Sequence, residues 1–311
     1  MNHDLDTVAR AWRQRQARLT TLAKAFIFGC GKSGTTWLVN LLNGHPQVAI
    51  RGEGCFTYQL VPLMQRALGG FNQHQTKFRK DPASVLQPVD QLMLCRTAVD
   101  ALLANYLDAA VTAGKALPTL RVIGDKTPQH AVSVAVLAQL YPEGRFIHIV
   151  RDPRDVAVSG WFHQGEQSGK PFEAFVEHFI TQVWRLHVGA VVAARASLGR
   201  RLLELRYDDL VAEPAPHVAR LLAHVGVTAD AAAVEGCITA GAFERLSGGR
   251  TPGQEDRQSF FRKGVVGDWP NHLAPDLARR CCEPVADLMR AYGYDPAPGI
   301  APSRTVAARA A

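Results

Sequence analysis

The chain has 311 residues, a hydrophobic content of 47% and a formal net charge of +7. This apolar content supplies a large core, so disorder is excluded for most of a chain long enough for one large α/β domain or two smaller ones. No apolar run reaches the roughly 18 to 20 residues of a membrane helix, and the charged N-terminus lacks an apolar signal segment. The positive charge favours anionic ligands without indicating which.

Cysteine spacing and the distribution of basic residues exclude further classes. The six cysteines are scattered without a C-x-x-C pair, which predicts reduced thiols and neither a zinc site nor a redox couple. There is no zinc-finger spacing, aromatic RNA-binding signature or long basic run, so nucleic acid is not an expected partner. The arginines at 10, 13, 15 and 18 fit the exposed face of a basic N-terminal helix within residues 1–24. We expect a cytoplasmic protein without a membrane span; the oligomeric state is not predicted.

Short apolar runs alternate with longer helical patterns, which predicts an α/β fold with a parallel sheet flanked by helices. The predicted strands are "AFIF" (25–28), "QVAI" (47–50), "RVI" (121–123), "RFIHIV" (145–150) and "LLELRY" (202–207). Long helical stretches at 82–113 and 171–198 are expected to cover one side of a site, and the helices within 57–118 and 163–198 to line an acceptor pocket. A single domain spans 25–294, and the Pro/Ala-rich tail 295–311 is predicted to be disordered.

The stretch "FIFGCGKSGTTWLVNLLNGHP" at 26–46 contains part of a triphosphate-binding pattern. Gly31-Lys32-Ser33 would close G-x-x-x-x-G-K-[ST], but Phe26 stands where the pattern needs its first glycine. What remains is a strand, a turn of small residues and a helix that opens at Thr35, which together offer unpaired N–H groups and a positive dipole end to a phosphate or sulfate. Lys32 adds a mobile charge to that site, or is simply solvated in a glycine turn.

A second strand, turn and helix start occur in "RFIHIVRDPRDVAVSGWFHQG". Asp152 suits the N-cap, and Asp155, three residues later, suits a capping box. Arg151 at the strand end can bind a phosphate with both guanidinium nitrogens, and Ser159 can add a hydroxyl from the following helix. Pairing of Arg151 with Asp155 is an equally good interpretation of the residues alone.

Together these stretches resemble the sulfotransferase family that uses 3′-phosphoadenosine 5′-phosphosulfate (PAPS). "KSGTTW" (32–37) is similar to its 5′-phosphosulfate loop, and "RDPRDVAVS" (151–159) to its 3′-phosphate element. "FFRKGVVGDWPNH" (260–272) resembles its C-terminal loop over the 3′-phosphate, and "RYDDLVAEP" (206–214) the turn whose tyrosine lies near the adenine. The matches keep the family's order along most of the chain.

The resemblance implies a P-loop-like fold and transfer of a sulfuryl group from PAPS, without a metal, to a hydroxyl or amine of a small-molecule or carbohydrate acceptor. It implies that the 5′ end binds to Lys32, Ser33, Gly34, Thr35 and Thr36, that Trp37 stacks on the adenine with Tyr207 beside the base, and that Arg151, Ser159, Arg262, Lys263 and Gly264 bind the 3′-phosphate. Lysine and backbone donors can neutralise the charge that develops on the leaving phosphate.

The residue that takes the acceptor proton departs from the cytosolic branch of the family. In "GDKTPQH" (124–130), Pro128 stands where that branch has its histidine base. "DKTP" instead resembles the carbohydrate and protein-tyrosine sulfotransferases, in which a lysine here approaches the sulfate and a glutamate after the second strand is the base. That resemblance makes Glu53 the candidate base and Lys126 a catalytic sulfate ligand. His130, or no side chain, is the alternative base.

Other residues have structural interpretations. Lys126 can form an ion pair with Asp125 or Asp155 instead of binding sulfate. Asp208 and Asp209 are expected to cap the following helix, and His148 to be packed in the core. Two rival functions stay open: a P-loop nucleotide kinase, which lacks here the complete triphosphate loop it needs, and a catalytically dead nucleotide-binding module.

Overall fold

Five strands form one sheet at the centre of the molecule, in a computed structural model that describes residues 5–78 and 82–297. The strands are β1 (Ala23–Phe28), β2 (Val48–Gly52), β3 (Val122–Lys126), β4 (Arg145–Val150) and β5 (Leu202–Arg206). They lie in the order β2-β3-β1-β4-β5, and every neighbouring pair is parallel. The predicted single-domain α/β fold with a parallel sheet flanked by helices is confirmed.

The helices cover both faces of this sheet. In the described ranges they are α1 (Leu5–Thr20), α2 (Thr35–Asn43), α3 (Val61–Phe78), α4 (Pro88–Thr112), α5 (Val134–Leu140), α6 (Pro153–Gly160), α7 (Phe172–His178), α8 (Arg185–Leu198), α9 (Tyr207–Ala212), α10 (Pro214–Val225), α11 (Ala231–Ala240), α12 (Phe243–Leu246), α13 (Pro275–Cys282) and α14 (Ala286–Ala291). The predicted helix at 171–198 is interrupted by a wide π-type turn at 179–184. The helix predicted from residue 82 is a short 3₁₀ turn at Pro82–Ser84, and the α-helix α4 starts only at Pro88. Proline is favoured at the first position of a helix.

Alternation along β1 divides the core between the two faces. Phe26 and Phe28 pack with Phe146 on the face covered by α4 and α5. Ile27 and Ile147 pack on the opposite face with residues of α2, α10 and α11. Because both faces are buried, these strands appear in the sequence as continuous apolar runs.

Strand β3 extends past the predicted "RVI" to Lys126, and its register positions the segment after β2. Gly52 of β2 lies opposite Lys126, and Arg51 lies opposite Asp125. Glu53, the first residue after β2, is therefore next to the last residue of β3. The apolar run that predicts this strand stops before Asp125 and Lys126, so the sequence does not show that they belong to it. Both side chains are buried in the structure, where hydrogen bonds satisfy their charged groups.

Helix α1 lies against α4 rather than standing apart. Leu19 is buried, an Arg18 nitrogen donates to the Leu120 carbonyl at 2.8 Å, and Arg15 forms an ion pair with Asp108 at 2.9 Å. Only part of the predicted basic face is therefore exposed, because Arg15 and Arg18 contact the rest of the domain. The predicted disordered tail falls outside the described residues from 298 onwards. Across 5–78 and 82–297, no helix combines the length and apolar character needed to cross a membrane.

Candidate functional site

A cavity of about 250 Å³ is lined by residues from all four predicted segments. The predicted nucleotide residues that line it are Lys32, Gly34, Thr35, Thr36, Trp37, Arg151, Ser159, Tyr207, Arg262, Lys263 and Gly264. Ser33 is the exception within the predicted set: it is fully buried in the turn after β1, and its hydroxyl has no hydrogen-bond partner. Residues that are more than 200 positions apart in sequence thus meet around one space.

The turn after β1 presents backbone N–H groups to this cavity. The Leu38 N–H donates to the Gly34 carbonyl, so the N–H groups of Thr35 and Thr36 precede the hydrogen-bonded part of α2. Gly34 has φ +96°, and a Cβ there would lie 2.7 Å from the Tyr207 ring. Only glycine combines this backbone conformation with that close approach. The helix N-terminus therefore has the geometry of an anion site.

Lys32 is a partly buried cation in this turn. Burial, then the charges of Arg151 and Lys126, lower the pKa of Lys32 to about 8. Its Nζ lies 4.3 Å from the centroid of the Phe260 ring, which reaches over it from the C-terminal loop. Three cations from three strand ends thus influence one another, an arrangement that an anionic ligand relieves.

Arg151 follows β4 and is both a wall of the cavity and a structural partner. Its Nη2 donates to the Val265 carbonyl at 2.9 Å and lies 3.4 Å from the Asp155 carboxylate. The guanidinium also lies 4.4 Å from the centre of the Tyr207 ring. The Asp155 pairing expected from the sequence is therefore present, and because Arg151 also lines the cavity, its binding of a phosphate stays a prediction.

The capping box expected at α6 is wrong for Asp155. Asp152 does cap the helix by accepting the Arg154 N–H at 2.9 Å. Asp155 instead accepts the N–H groups of Gly267 and Trp269, at 2.7 and 3.0 Å. The start of α6 thereby holds the C-terminal loop against the cavity, through contacts between residues more than 110 positions apart.

Asp268 organises the cations of that loop. Its buried carboxylate accepts from Arg262 at 2.7 Å and Lys263 at 2.6 Å, and also from Asn271 and His272. Burial by itself raises the pKa of Asp268, but the hydrogen bonds from His272, Lys263 and Arg262 outweigh it and hold the pKa well below its usual range. Asp268 therefore holds both predicted phosphate ligands, and Glu255 pairs with Arg262 from its other side.

The remaining wall of the cavity is apolar. Gly264 has φ +66°, and a Cβ there would lie 2.4 Å from the Phe243 ring. Trp37 donates through its indole N–H to the Gly241 carbonyl at 2.8 Å, and its ring meets that of Tyr207 edge to face at 5.3 Å. Trp37 and Phe243 both line the cavity, which gives it a surface suited to a flat heterocycle.

Glu53 and Lys126 form an ion pair at the ends of β2 and β3. Lys126 Nζ donates to Glu53 Oε1 at 2.6 Å; the Glu53 side chain is 41% exposed and that of Lys126 is 8% exposed. The alternative in which Lys126 pairs with Asp125 or Asp155 is wrong, because the strand register directs it to Glu53. The accessible carboxylate is thus held next to the buried ammonium.

His130 has a different environment. Its ring is fully buried and stacks 5.7 Å from Phe56. Nδ1 lies 2.8 Å from the Thr57 hydroxyl, and Nε2 lies 3.1 Å from Asp125. With both nitrogens engaged and no exposed edge, His130 is poorly placed to accept a proton from an incoming substrate, which favours Glu53 between the two candidates.

Two other sequence expectations have opposite outcomes. His148 is fully buried in β4 beside Glu204, as predicted for a core histidine. The capping role of Asp208 and Asp209 is wrong: Asp208 accepts from the Tyr294 hydroxyl at 2.6 Å, and Asp209 pairs with Arg206 at 3.1 Å.

Several residues of the site have no role in the sequence interpretation, namely Tyr106, Phe243, Phe260 and Asp268, and Asp125 appears there only as a possible partner of Lys126. The charge of Asp125 after a buried apolar run was a usable signal, since a buried carboxylate needs several hydrogen-bond donors. The others are recognisable only from contacts between distant segments.

Comparison with known proteins agrees with this geometry. Residues 25–231 match the model of the Sulfotransferase family. The chain is 25% identical over 294 residues to cytosolic sulfotransferase 17 of Arabidopsis thaliana, covering 86% of this chain and 75% of that protein. It is 28% identical over 304 residues to nodulation protein NoeE of Sinorhizobium fredii, covering 87% of this chain but only 65% of that protein.

The fold is also similar to that of mouse sulfotransferase SULT7A1 complexed with PAP, with a TM-score of 0.53 and 18% identity. That similarity covers 88% of this chain and 89% of the mouse protein. The family match spans two thirds of the sequence and includes the predicted residues from Lys32 to Tyr207. The chain belongs to the sulfotransferase family.

Proposed function

We propose that the protein transfers the sulfuryl group of PAPS to a hydroxyl or amine of a small-molecule or carbohydrate acceptor. One observation carries the proposal: a single cavity joins a helix N-terminus with Lys32 to a second set of cations, Arg151, Arg262 and Lys263. PAPS has anionic groups at the 5′ and 3′ positions of its ribose and a flat base at the 1′ position. Trp37 and the apolar wall suit that base.

In the proposed reaction, an acceptor oxygen or nitrogen attacks sulfur while the bond from sulfur to the bridging phosphate oxygen breaks. Glu53 takes the acceptor proton, and 3′-phosphoadenosine 5′-phosphate leaves with the bridging oxygen and its electron pair. Lys32 and the α2 N–H groups stabilise the charge on that phosphate, and Lys126 stabilises the sulfuryl oxygens. The ion pair of Glu53 with Lys126 brings the proposed base and sulfate ligand to one place.

Two rival functions make different demands on the chain. A P-loop kinase needs a complete triphosphate loop, but Phe26 lies buried inside β1, where the first glycine of that loop would belong. A catalytically dead binding module has no need of the exposed Glu53 beside Lys126. Both observations favour transfer.

The test is incubation of the purified protein with sulfur-labelled PAPS and a library of hydroxylated and amino acceptors, with chelator present. Label on an acceptor together with released 3′-phosphoadenosine 5′-phosphate supports the proposal. Tight binding of that product without turnover on any acceptor favours the dead module. Activity that requires ATP and magnesium, and is lost with chelator, favours the kinase.

A further inference from the structure

Asp125, beside the Glu53–Lys126 pair, is a buried carboxylate with a full set of donors. Its side chain is completely inaccessible. Oδ2 accepts the Gly54 N–H at 2.8 Å and the Tyr106 hydroxyl at 2.9 Å. Oδ1 accepts the Thr127 hydroxyl at 2.7 Å and lies 3.1 Å from His130 Nε2. These donors come from the loop after β2, from α4 and from the turn after β3.

The bonds to Asp125 constrain the segment that carries Glu53. Gly54, which directly follows Glu53, is bound to the carboxylate, and the Cys55 N–H donates to the Thr127 hydroxyl at 3.3 Å. On the other side, Gly52 is paired in the sheet with Lys126. The backbone is thus tied to the end of β3 immediately before and after Glu53.

The hydrogen-bond chain beyond Asp125 has a consistent direction. Ser133 donates to the Thr57 hydroxyl at 2.5 Å, and that hydroxyl lies 2.8 Å from His130 Nδ1. Because Thr57 accepts from Ser133, its own hydroxyl proton is available to His130 Nδ1, and in the matching tautomer Nε2–H donates a hydrogen bond to Asp125. All four groups around the carboxylate are then donors, and its two oxygens accept from all of them.

We propose that Asp125 is a positioning residue for sulfuryl transfer, and this inference rests on the proposed function. It lies outside the nucleotide cavity and is inaccessible to an acceptor. Its carboxylate fixes the Glu53 backbone relative to Lys126, so that the carboxylate of Glu53 meets the acceptor while Lys126 meets the sulfuryl oxygens. A buried charge is costly, and donors from three separate elements converge on it to hold these two residues in register.

The first test is Asp125→Asn. An amide has one acceptor oxygen, so two of the four donors lose their acceptor and the segment at 53–55 loosens. We expect kcat to fall roughly 10²-fold, the effect of small misplacement of a catalytic group. The Kd for 3′-phosphoadenosine 5′-phosphate should change less than about twofold, since Asp125 makes no contact with that cavity.

A double-mutant cycle separates positioning from general damage. If Asp125 acts through Glu53, adding Asp125→Asn to Glu53→Gln should lower kcat by much less than it does in the wild type.

Tyr106→Phe removes one hydrogen-bond donor to Asp125 without changing the carboxylate, and should lower kcat roughly three- to tenfold. Asp100→Asn is the control: Asp100 lies on α4 like Tyr106 and accepts the Tyr141 hydroxyl at 2.8 Å, but it pairs with Arg96 and has no bond to residues 53–55 among the described contacts.

Amide hydrogen exchange of the peptide covering 50–58 gives a readout that does not need turnover. Asp125→Asn and Tyr106→Phe should accelerate exchange there, and Asp100→Asn should not. Three results would each overturn the inference. They are a kcat equal to that of the wild type in both Asp125→Asn and Tyr106→Phe, a loss of kcat from Asp125→Asn that is the same with and without Glu53→Gln, and unchanged amide exchange at 50–58. If the wild type transfers no sulfuryl group from PAPS, the proposed function is wrong. The exchange data then still decide whether Asp125 holds the segment at 53–55.

Discussion

Two buried aspartates, Asp268 and Asp125, each gather four donors, but they organise different kinds of site. The donors around Asp268 include the cations Arg262 and Lys263, which are also the proposed phosphate ligands. The donors around Asp125 are a backbone N–H, two hydroxyls and an imidazole, and none of them is a proposed ligand. One carboxylate thus holds the proposed phosphate ligands, and the other holds the backbone that carries the proposed base.

We expect this difference to separate nucleotide binding from turnover. Disturbing the cations at Asp268 changes the electrostatics of the nucleotide cavity, so we expect it to change the affinity for the nucleotide. Disturbing the segment after β2 leaves that cavity intact and should appear in kcat. The variants below test this separation from the largest expected effect to the smallest.

Glu53→Gln should have the largest effect. The amide keeps the shape but loses the basic oxygen, so turnover should fall roughly 10²- to 10⁴-fold while nucleotide affinity is retained. That loss corresponds to about 3 to 5 kcal/mol of transition-state stabilisation. The measurement is kcat with one acceptor, alongside the Kd of the desulfated nucleotide.

His130→Gln is the comparison for that variant, because it removes the rival base from a fully buried position. It should reduce turnover much less than Glu53→Gln when both proteins are equally folded. If Glu53→Gln turns over at a near-normal rate while His130→Gln is inactive, then His130 and not Glu53 is the base.

Lys126→Met should lower kcat roughly 10²-fold by removing a charge that stabilises the sulfuryl oxygens. Binding of 3′-phosphoadenosine 5′-phosphate should weaken less, since this product lacks the group that Lys126 is proposed to contact. Single-turnover kinetics and product-binding titrations measure the two effects. An equal loss in both would assign Lys126 to nucleotide binding.

Asp268→Asn should show the opposite pattern. Loss of the carboxylate removes the partner of Lys263 and one of the two partners of Arg262, the other being Glu255. Nucleotide affinity should then fall roughly tenfold, the value of one charged hydrogen bond. Turnover at saturating PAPS should change little. Titration calorimetry and kcat measured on the same preparation check this, and a kcat defect at full saturation would contradict the division between the two regions.

The smallest effect concerns pH. Because the pKa of Lys32 is lowered to about 8, by burial and then by Arg151 and Lys126, the free protein loses this charge above that pH. Binding a phosphate there requires uptake of a proton, so affinity should fall about fivefold between pH 8 and 9. His163 does not contribute in this window, because burial and Lys32 lower its pKa below 6.5.

Lys32→Arg is the control for the pH measurement, since arginine stays charged throughout this range. Whatever its affinity, its Kd should be flat where that of the wild type rises. A flat wild-type profile would show that Lys32 does not meet the anion.

The sequence predicts the sheet well because strands buried on both faces require continuous apolar runs, such as those around Phe26 and Ile147. It also predicts the two strand-turn-helix elements, whose residues are neighbours along the chain. Lys32 and Arg151 were recognisable for that reason.

The arrangement between segments was not predictable from one sequence. Glu53 and Lys126 were each proposed, but their ion pair depends on the register of β2 and β3, which no local pattern encodes. Asp155 was assigned to its own helix because its partners, Gly267 and Trp269, come from a distant loop.

The central claim is that one cavity binds a nucleotide with anionic groups at both its 5′ and 3′ positions. The most direct measurement compares the Kd of 3′-phosphoadenosine 5′-phosphate with that of adenosine 5′-phosphate, at one pH and ionic strength. Each well-made charged contact to the 3′-phosphate contributes roughly ten- to a hundredfold, so we expect the bisphosphate to bind at least 10²-fold more tightly. Arg262→Ala should narrow that gap. Equal affinity for the two nucleotides would contradict the claim.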